Sequence, residues 1–319
     1  MTISELFEAV RRVEVRTNRL VNDMMVGAYL SRFKGRGMDF EELREYIPGD
    51  DVRDIDWNVT NRMGRPFVKR HREERELGIV LAVDVSASGA FGSVRRSKRE
   101  FAAEVAATLA FSAARSSDKV SLALFTDRVE LFLPPRKGRR HILRVIREML
   151  FFEPRSRATD VGAALTFLNH AVRRRSVVFL LTDFLHSFDP GSAGVPPAAG
   201  SRTSRRDASA PRANTRDIVQ EIGLTNARHD LLCLHLHDPR EGELPNAGLL
   251  TIEDAETGEL LEVDSGSASV RAAYAETNAN RIAALDRSLQ QAHVDTLRLR
   301  TDEPFAQTLQ RFFELRRRR

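Results

Sequence analysis

The sequence predicts an α/β protein built on a doubly wound, mostly parallel sheet flanked by helices. Residues 78–84, GIVLAVD, and 176–182, SVVFLLT, are near-continuous apolar runs that end in or just before an aspartate. Central parallel strands, covered on both faces, carry that pattern. Further short apolar runs at 119–125, 231–237 and 295–300 alternate with stretches of helical period. Strands alternating with helices indicate crossover connections and a parallel sheet.

Residues 3–29 place Leu6, Phe7, Val10, Val13, Leu20, Met24 and Ala28 at three- and four-residue steps, interrupted at Thr17, and predict an amphipathic helix. The texture then changes. Residues 31–76 hold eleven basic and eleven acidic residues, punctuated by Gly35, Gly37, Pro48, Gly49, Gly64 and Pro66. Turns and short strands pinned by ion pairs are expected there rather than a hydrophobic core. The domain organisation read from this is a charged N-terminal segment, 1–76, followed by an α/β domain, 77–319. Within the second, 94–116 is helical, 119–125 a strand, 128–133 its hairpin partner, and 138–151 and 160–174 helices. Strand 176–182 follows, then 231–237, a small hairpin of 249–254 and 259–263 around Thr257-Gly258, a helix over 268–292, strand 295–300 and a final helix from Glu303. Residues 190–214 are rich in Gly, Pro, Ala, Ser and Arg without an aliphatic run, and predict a disordered loop insertion.

Composition narrows the function classes. The hydrophobic fraction of 42% and charged fraction of 30% are those of a soluble globular chain. No stretch has the roughly 18–20 apolar residues of a membrane span. The first residues, MTISELFEAVRR, lack the apolar core of a signal peptide. A single cysteine, Cys233, excludes an internal disulfide. A cytoplasmic location is expected. The net charge of +5 is uneven: Arg316 to Arg319 and the four Arg and one Asp of 192–214 supply more than all of it, and the remainder carries −2. Nucleic-acid binding wants a basic stripe on a folded surface, so the distribution argues against it. The Arg tail is expected to be a frayed, solvated helix end.

In a doubly wound sheet, ligands bind at the carboxyl ends of the strands. Asp84-Val85-Ser86-Ala87-Ser88 follows the first buried strand, Thr182-Asp183 closes another, and Thr159 precedes Asp160 at a helix start. Two carboxylates with two or three hydroxyls, and no His or Cys, form an oxygen-only set. That suits a hard cation, Mg²⁺ first, with Mn²⁺ or Ca²⁺ as alternatives.

Asp-x-Ser-x-Ser after one strand, Thr159, and Thr182-Asp183 after another resemble the metal-ion-dependent adhesion site of von Willebrand factor A domains. By that resemblance Asp84, Ser86, Ser88, Thr159 and Asp183 are direct or water-mediated metal ligands. Many A domains have Gly after the last Asp, whereas this chain has Phe184. The N-terminal block sharpens the likeness. Gly35-Arg36-Gly37-Met38-Asp39-Phe40, then Leu43-Arg44-Glu45-Tyr46-x-Pro48-Gly49-Asp50-Asp51-x-Arg53-x-Ile55-Asp56-Trp57, then Val68-Lys69 and Glu74, resembles the bacterial and archaeal family DUF58, in which such a block precedes an A-type domain. Asp254-x-Glu256-Thr257-Gly258-Glu259 fits the same pattern. The resemblance implies a non-catalytic, metal-ion-dependent protein-binding module. Its implied partner is a MoxR-type AAA+ ATPase, since family members are typically encoded beside one, and an acidic side chain of the partner would complete the metal's coordination.

Other readings of the same residues are an Mg²⁺-dependent hydrolase at the same strand ends, with Asp160 as its base, and nucleic-acid binding through the Arg-rich loop and tail. Cys233, His235 and His237 alternate along a strand and read as a half-buried face rather than a zinc site. Lys98 reads as a surface or capping residue of the helix that follows the first strand. The aspartates around Arg53 read as ion pairs and turn caps rather than a second metal site, with Arg44, Arg53, Lys69 and Arg70 as partners, and Phe40 and Trp57 as satellite-core residues.

Overall fold

The structure is a computed structural model that describes residues 38–48, 50–52, 55–73, 77–93, 96–185, 215–256 and 258–317. The helix expected over 3–29, the insertion at 190–214, and Arg53 lie outside the described residues. The chain separates into two compact units, one of residues 32–77 and one that contains 78–319.

In the smaller unit, strand β1 (Met38–Glu45) pairs antiparallel with β2 (Phe67–Glu73), with a bulge between Phe40 and Glu42. A short helix the sequence pattern did not announce, α1 (Trp57–Met63), lies between them. Asp56 caps it by accepting from the amides of Asn58 and Val59. Gly64 ends it in the left-handed region at φ +69°, where a residue without Cβ is at ease. Asp50 accepts both from Arg44 at 2.5 Å and from the Ile47 amide. Trp57 corrects the satellite-core expectation: it is 61% exposed. It occupies the first position of a helix that buries none of its residues.

The larger unit is the α/β fold the sequence predicts. Strands β3 (Gly78–Asp84), β4 (Lys119–Phe125), β5 (Val129–Arg136), β6 (Val177–Thr182), β7 (Asp230–His237) and β10 (Asp295–Arg300) form one sheet in the order β10-β7-β6-β3-β4-β5. All neighbours are parallel except β4 and β5. A separate hairpin, β8 (Leu249–Glu253) with β9 (Leu260–Asp264), is antiparallel. The helices are α2 (Lys98–Arg115), α3 (Arg139–Phe151), α4 (Val161–Ala171), α5 (Thr215–Arg228), the single turn α6 (Pro239–Gly242), α7 (Ala268–Gln291) and α8 (Phe305–Arg317).

Helices cover both faces of the sheet. On one, Val80, Ala82, Ala123 and Phe125 pack with Val161, Leu165 and Leu168 of α4, Ile218 and Ile222 of α5, and Leu285 and Leu289 of α7. On the other, Phe101 of α2 meets Phe305 edge to face at 5.6 Å, and Phe179 of β6 meets Phe313 of α8 at 6.1 Å. Such ring pairs add about 0.5–1.5 kcal/mol beyond the area they bury. With both faces covered, β3 and β6 have no solvent side, which explains their unbroken apolar runs.

The strand order reverses at β3. From β3 the chain steps outward through β4 and β5, then returns to lay β6 on β3's other edge. The connections leaving β3 and β6 diverge there and open a crevice beyond their carboxyl ends.

Arg316 departs from the frayed, solvated end expected of the Arg tail, while Arg318 and Arg319 lie outside the described residues. The Arg316 side chain is 7% exposed and pairs with Asp230 and, at 2.8 Å, with Asp295. Those aspartates begin β7 and β10, and α8 lays its last turn beside them. Among the described residues, no helix is long and apolar enough to cross a membrane.

Candidate metal centre at the strand ends

Asp84 ends β3, and its backbone stays in the sheet through the pairing with Phe125. Its carboxylate folds back onto its own loop: Oδ1 accepts from the Ser86 amide at 2.9 Å. This turn aims the two serine hydroxyls at one point, with Ser86 Oγ and Ser88 Oγ 3.1 Å apart. Both serines are buried. Across the crevice, Thr182 Oγ1 donates to Asp84 Oδ2 at 2.6 Å and accepts from the Phe184 amide at 3.2 Å. Asp183 Oδ1 accepts from the Leu185 amide at 3.1 Å. The strand-end pair expected from the sequence is thus brought together with both serines.

Thr159 is not among the residues that line the pocket at these strand ends. Arg157 accepts from the Ala87 amide at 3.1 Å, and the Asp160 amide donates to Thr126 at the end of β4 at 2.9 Å, so the 157–160 loop borders the serine turn. The Thr159 hydroxyl itself donates to Glu256 Oε1 at 2.8 Å. Asp160 caps α4 by accepting from the Ala163 amide at 2.9 Å, the ordinary role of such a residue.

Sequence reasoning missed the cation of the site. Lys98 is not a surface residue: it is 2% exposed, and its ammonium donates to both Asp183 and Glu241. Ser97 is the N-cap of α2, in a capping box with Glu100, which makes Lys98 the first helical residue. Gly92 lets the preceding loop close tightly, since a Cβ there would meet the Arg96 carbonyl oxygen at 2.5 Å. The helix therefore begins against the sheet, and Lys98 extends inward. A lysine in a first helical turn opposes the helix dipole. That mismatch, fourteen residues beyond Asp84, was the signal available in the sequence. Glu241 belongs to α6, which Asp238 caps in a second capping box, and lies 3.4 Å from His237 Nδ1.

The electrostatics follow from this inventory. The Lys98 ammonium holds two carboxylates, Asp183 and Glu241, and Asp84 stands beside Asp183. Burial and the neighbouring Asp183 push the Asp84 carboxyl up to about 7. Burial acts in the same sense on Asp183, but the Lys98 ammonium outweighs it and holds Asp183 below the usual carboxylate range. Lys98 itself is raised, because its two carboxylates outweigh the penalty of burial. Asp183 is thus ionised through Lys98, while Asp84 lacks a comparable positive neighbour.

The donor set at the strand ends is oxygen-only, the kind a small hard cation takes. Two oxygens bound side by side at about 2.1 Å from Mg²⁺ lie about 3.0 Å apart, close to the separation of the serine oxygens. Asp84, Ser88, Thr182 and Asp183 border, with Lys98 and Arg99, a pocket of about 10 Å³. That is about the room of one water. Among the described residues no group of three or more His, Cys, Asp or Glu is placed to hold a metal, so serine hydroxyls are needed to complete any set. Cys233 lies in the core, and burial pushes its thiol far up. His235 packs its ring on Phe184 at 5.9 Å, and burial holds its pKa near 4.

Phe184 follows Asp183 at the end of β6. Its φ is +53°, a region that costs a residue with a Cβ about 1–2 kcal/mol. The ring is 1% exposed, and its burial offsets that cost.

The profile of the family described as Protein of unknown function DUF58 matches residues 42–284. Uncharacterized protein Rv1480 of Mycobacterium tuberculosis (strain H37Rv) is 29% identical over 316 residues, spanning 98% of this chain and 90% of that protein. Uncharacterized protein Mb1516 of Mycobacterium bovis is similar to the same extent. Among solved structures, the conserved hypothetical protein BatB from Bacteroides thetaiotaomicron aligns over 76% of this chain and all of that one, with 13% identity and a TM-score of 0.42.

Proposed function

The chain belongs to the DUF58 family, and on that premise we propose that it is a non-catalytic protein-binding module of the von Willebrand A type, working through one divalent cation at the ends of β3 and β6. Asp84, Ser86, Ser88 and Asp183 would hold the ion. Mg²⁺ is the first choice, with Mn²⁺ or Ca²⁺ as substitutes. When bound, the ion supplies positive charge and a coordination position for an acidic side chain of a partner.

The single observation that carries the reading is the convergence of Asp84, Ser86, Ser88 and Asp183 at the ends of β3 and β6. The residues' own tasks are then distinct. Asp84 orients the serine turn, Lys98 keeps Asp183 ionised and in place, and Thr182 ties the two strand ends together. Asp160, the base a hydrolase would need, is engaged as a helix cap, which favours the binding reading over the enzymatic one.

The partner class proposed is a MoxR-type AAA+ ATPase, with this chain as its adaptor in complex assembly or chaperone-like activation. A purified MoxR-type ATPase from the source genome tests this in a pull-down with Mg²⁺ and with EDTA, beside an Asp84→Ala/Asp183→Ala variant of checked stability. Retention only with metal and only by the unmutated chain is the expected result. Retention that ignores both metal and mutation overturns the role of the site, and no retention at all overturns the choice of partner.

A further inference from the structure

Helix α3 turns a stripe of arginines to solvent. Residues 134–147, PPRKGRRHILRVIR, hold six cationic residues and no acidic one. Ile142, Val145, Ile146 and Met149 are buried and face the helix inward. Arg140, Arg144 and Arg147 recur at i, i+4 and i+7 on the opposite side. Arg136 precedes them at the end of β5, and all four are exposed. Arg136 is level with Val120 near the start of β4, whereas Asp84 is level with Phe125 at its end. The stripe thus begins about 17 Å along the sheet from the strand-end site, at about 3.3 Å per residue.

The helix holds these charges against local electrostatics. Arginines four apart repel, and cations in a first turn oppose the helix dipole. The first turn of α3 has no acidic residue, and Gly138 supplies no side-chain cap. Among the described residues, Arg147 is the one of the four with an acidic partner, Glu148. The charges also act on a common spot. His141 Nε2 meets the Val120 carbonyl at 2.8 Å, and burial, with the charges of Arg136 and Arg144, holds this histidine below its ordinary pKa. The net charge of the chain hides this surface, because acids elsewhere in the sequence cancel it in the sum.

We propose that this face of α3 binds the phosphate backbone of duplex nucleic acid without reading its sequence. A planar guanidinium matches phosphate oxygens in pairs. Arginines one turn apart place their charges about 5–6 Å apart along a straight rod, which suits a polyanion of regular charge spacing. An anionic membrane is a poorer match, since no large apolar side chain is exposed within 134–147 to enter it. A single strand is a poorer match too, since this stretch has no Phe, Tyr or Trp on which bases could stack. Pro134 and Pro135 weaken the edge strand β5 as a template for a protein strand. The surface is independent of the strand-end cation.

The probe is a fluorescein-labelled DNA duplex of arbitrary sequence, titrated with the full chain in EDTA and followed by anisotropy. Arg136→Gln/Arg140→Gln/Arg144→Gln is compared with the unmutated chain. Two controls neutralise the other basic segments: Arg202→Gln/Arg205→Gln/Arg206→Gln/Arg212→Gln, and Arg317→Gln/Arg318→Gln/Arg319→Gln. Melting temperatures check that every variant folds. The unmutated chain is expected to lose at least about 40-fold in affinity between about 50 and 200 mM salt, as three released counterions require. The stripe variant is expected to bind at least about tenfold more weakly at the lower salt, with a salt slope smaller by about three, and to lose more than either control. Weaker binding in a control with none in the stripe variant overturns the α3 surface. No anisotropy change with the unmutated chain overturns nucleic acid as its occupant. Sedimentation with phosphatidylserine vesicles that the stripe variant loses, without duplex binding, overturns it in favour of a membrane. EDTA keeps each of these outcomes separate from the cation reading.

Discussion

The Lys98 ammonium donates to the Asp183 carboxylate at the carboxyl end of β6, and neither side chain is more than 5% exposed. Removing one partner of such a buried pair strands the other. Lys98→Ala is expected to cost about 3–5 kcal/mol in EDTA. Added Mg²⁺ should raise the melting temperature of Lys98→Ala by more degrees than that of the unmutated chain, since the variant's cluster is more negative. A variant that melts like the original in EDTA contradicts the buried pair.

Asp84 carries the opposite burden. Its carboxyl is pushed up to about 7, against an ordinary value of 3.8, by burial and by Asp183. A raised pKa stabilises the fold most below the ordinary value, and that contribution is lost as pH rises through about 7. At pH 8 without metal the ionised group therefore strains the site. Asp84→Asn is expected to melt at least as high as the unmutated chain in EDTA at pH 8, and to lose the stabilisation by Mg²⁺. A large drop in melting temperature in EDTA identifies Asp84 as a structural residue instead.

Phe184→Gly separates backbone strain from packing. Glycine relieves about 1–2 kcal/mol at φ +53°. Loss of the ring costs about 3–5 kcal/mol. Net destabilisation of about 1–4 kcal/mol is expected by urea unfolding, from the difference of those terms. A stabilised variant shows that the ring contributes less than the strain it imposes.

Arg316→Ala leaves Asp230 buried beside no guanidinium. A loss of about 3 kcal/mol is expected, little changed between low and high salt because the pair is shielded from solvent. An effect below about 0.5 kcal/mol, typical of exposed pairs, restores the picture of a solvated tail.

His229 gives a pH test remote from the strand ends. It is fully buried, neither ring nitrogen has a hydrogen-bond partner, and burial, with Arg228 and Arg175 nearby, holds its pKa near 4. A depressed histidine pKa means the unfolded chain binds the extra proton first. The stability it contributes is present above about 6.5 and is lost as pH falls through about 4, by up to roughly 3 kcal/mol. His229→Phe should flatten the fall in melting temperature across that window. An unchanged slope shows that other groups govern it.

Much of the α/β unit was legible because its signals are local. Two-sided burial writes itself as unbroken apolar runs, and the 78–84 and 176–182 runs correspond to β3 and β6 within a residue. The hairpin around Gly258 was legible from its turn residues. Asp84, Ser86, Ser88 and Asp183 could be grouped because strand ends in a doubly wound sheet converge on one crevice. Helix α1 was not legible: its seven residues bury nothing, so no apolar period marks it, and a cap at Asp56 with a left-handed Gly64 is all that defines it.

The sequence by itself determined the layers, the alternation of strands and helices, and the oxygen-rich strand ends, since each depends on neighbours along the chain. Only the tertiary structure decided the charge of the site. Lys98 and Glu241, Arg316 and Asp230, and Thr159 and Glu256 meet across separations of 143, 86 and 97 residues. Desolvation makes a lysine commit to whichever carboxylates the fold places beside it, and no local pattern records that choice.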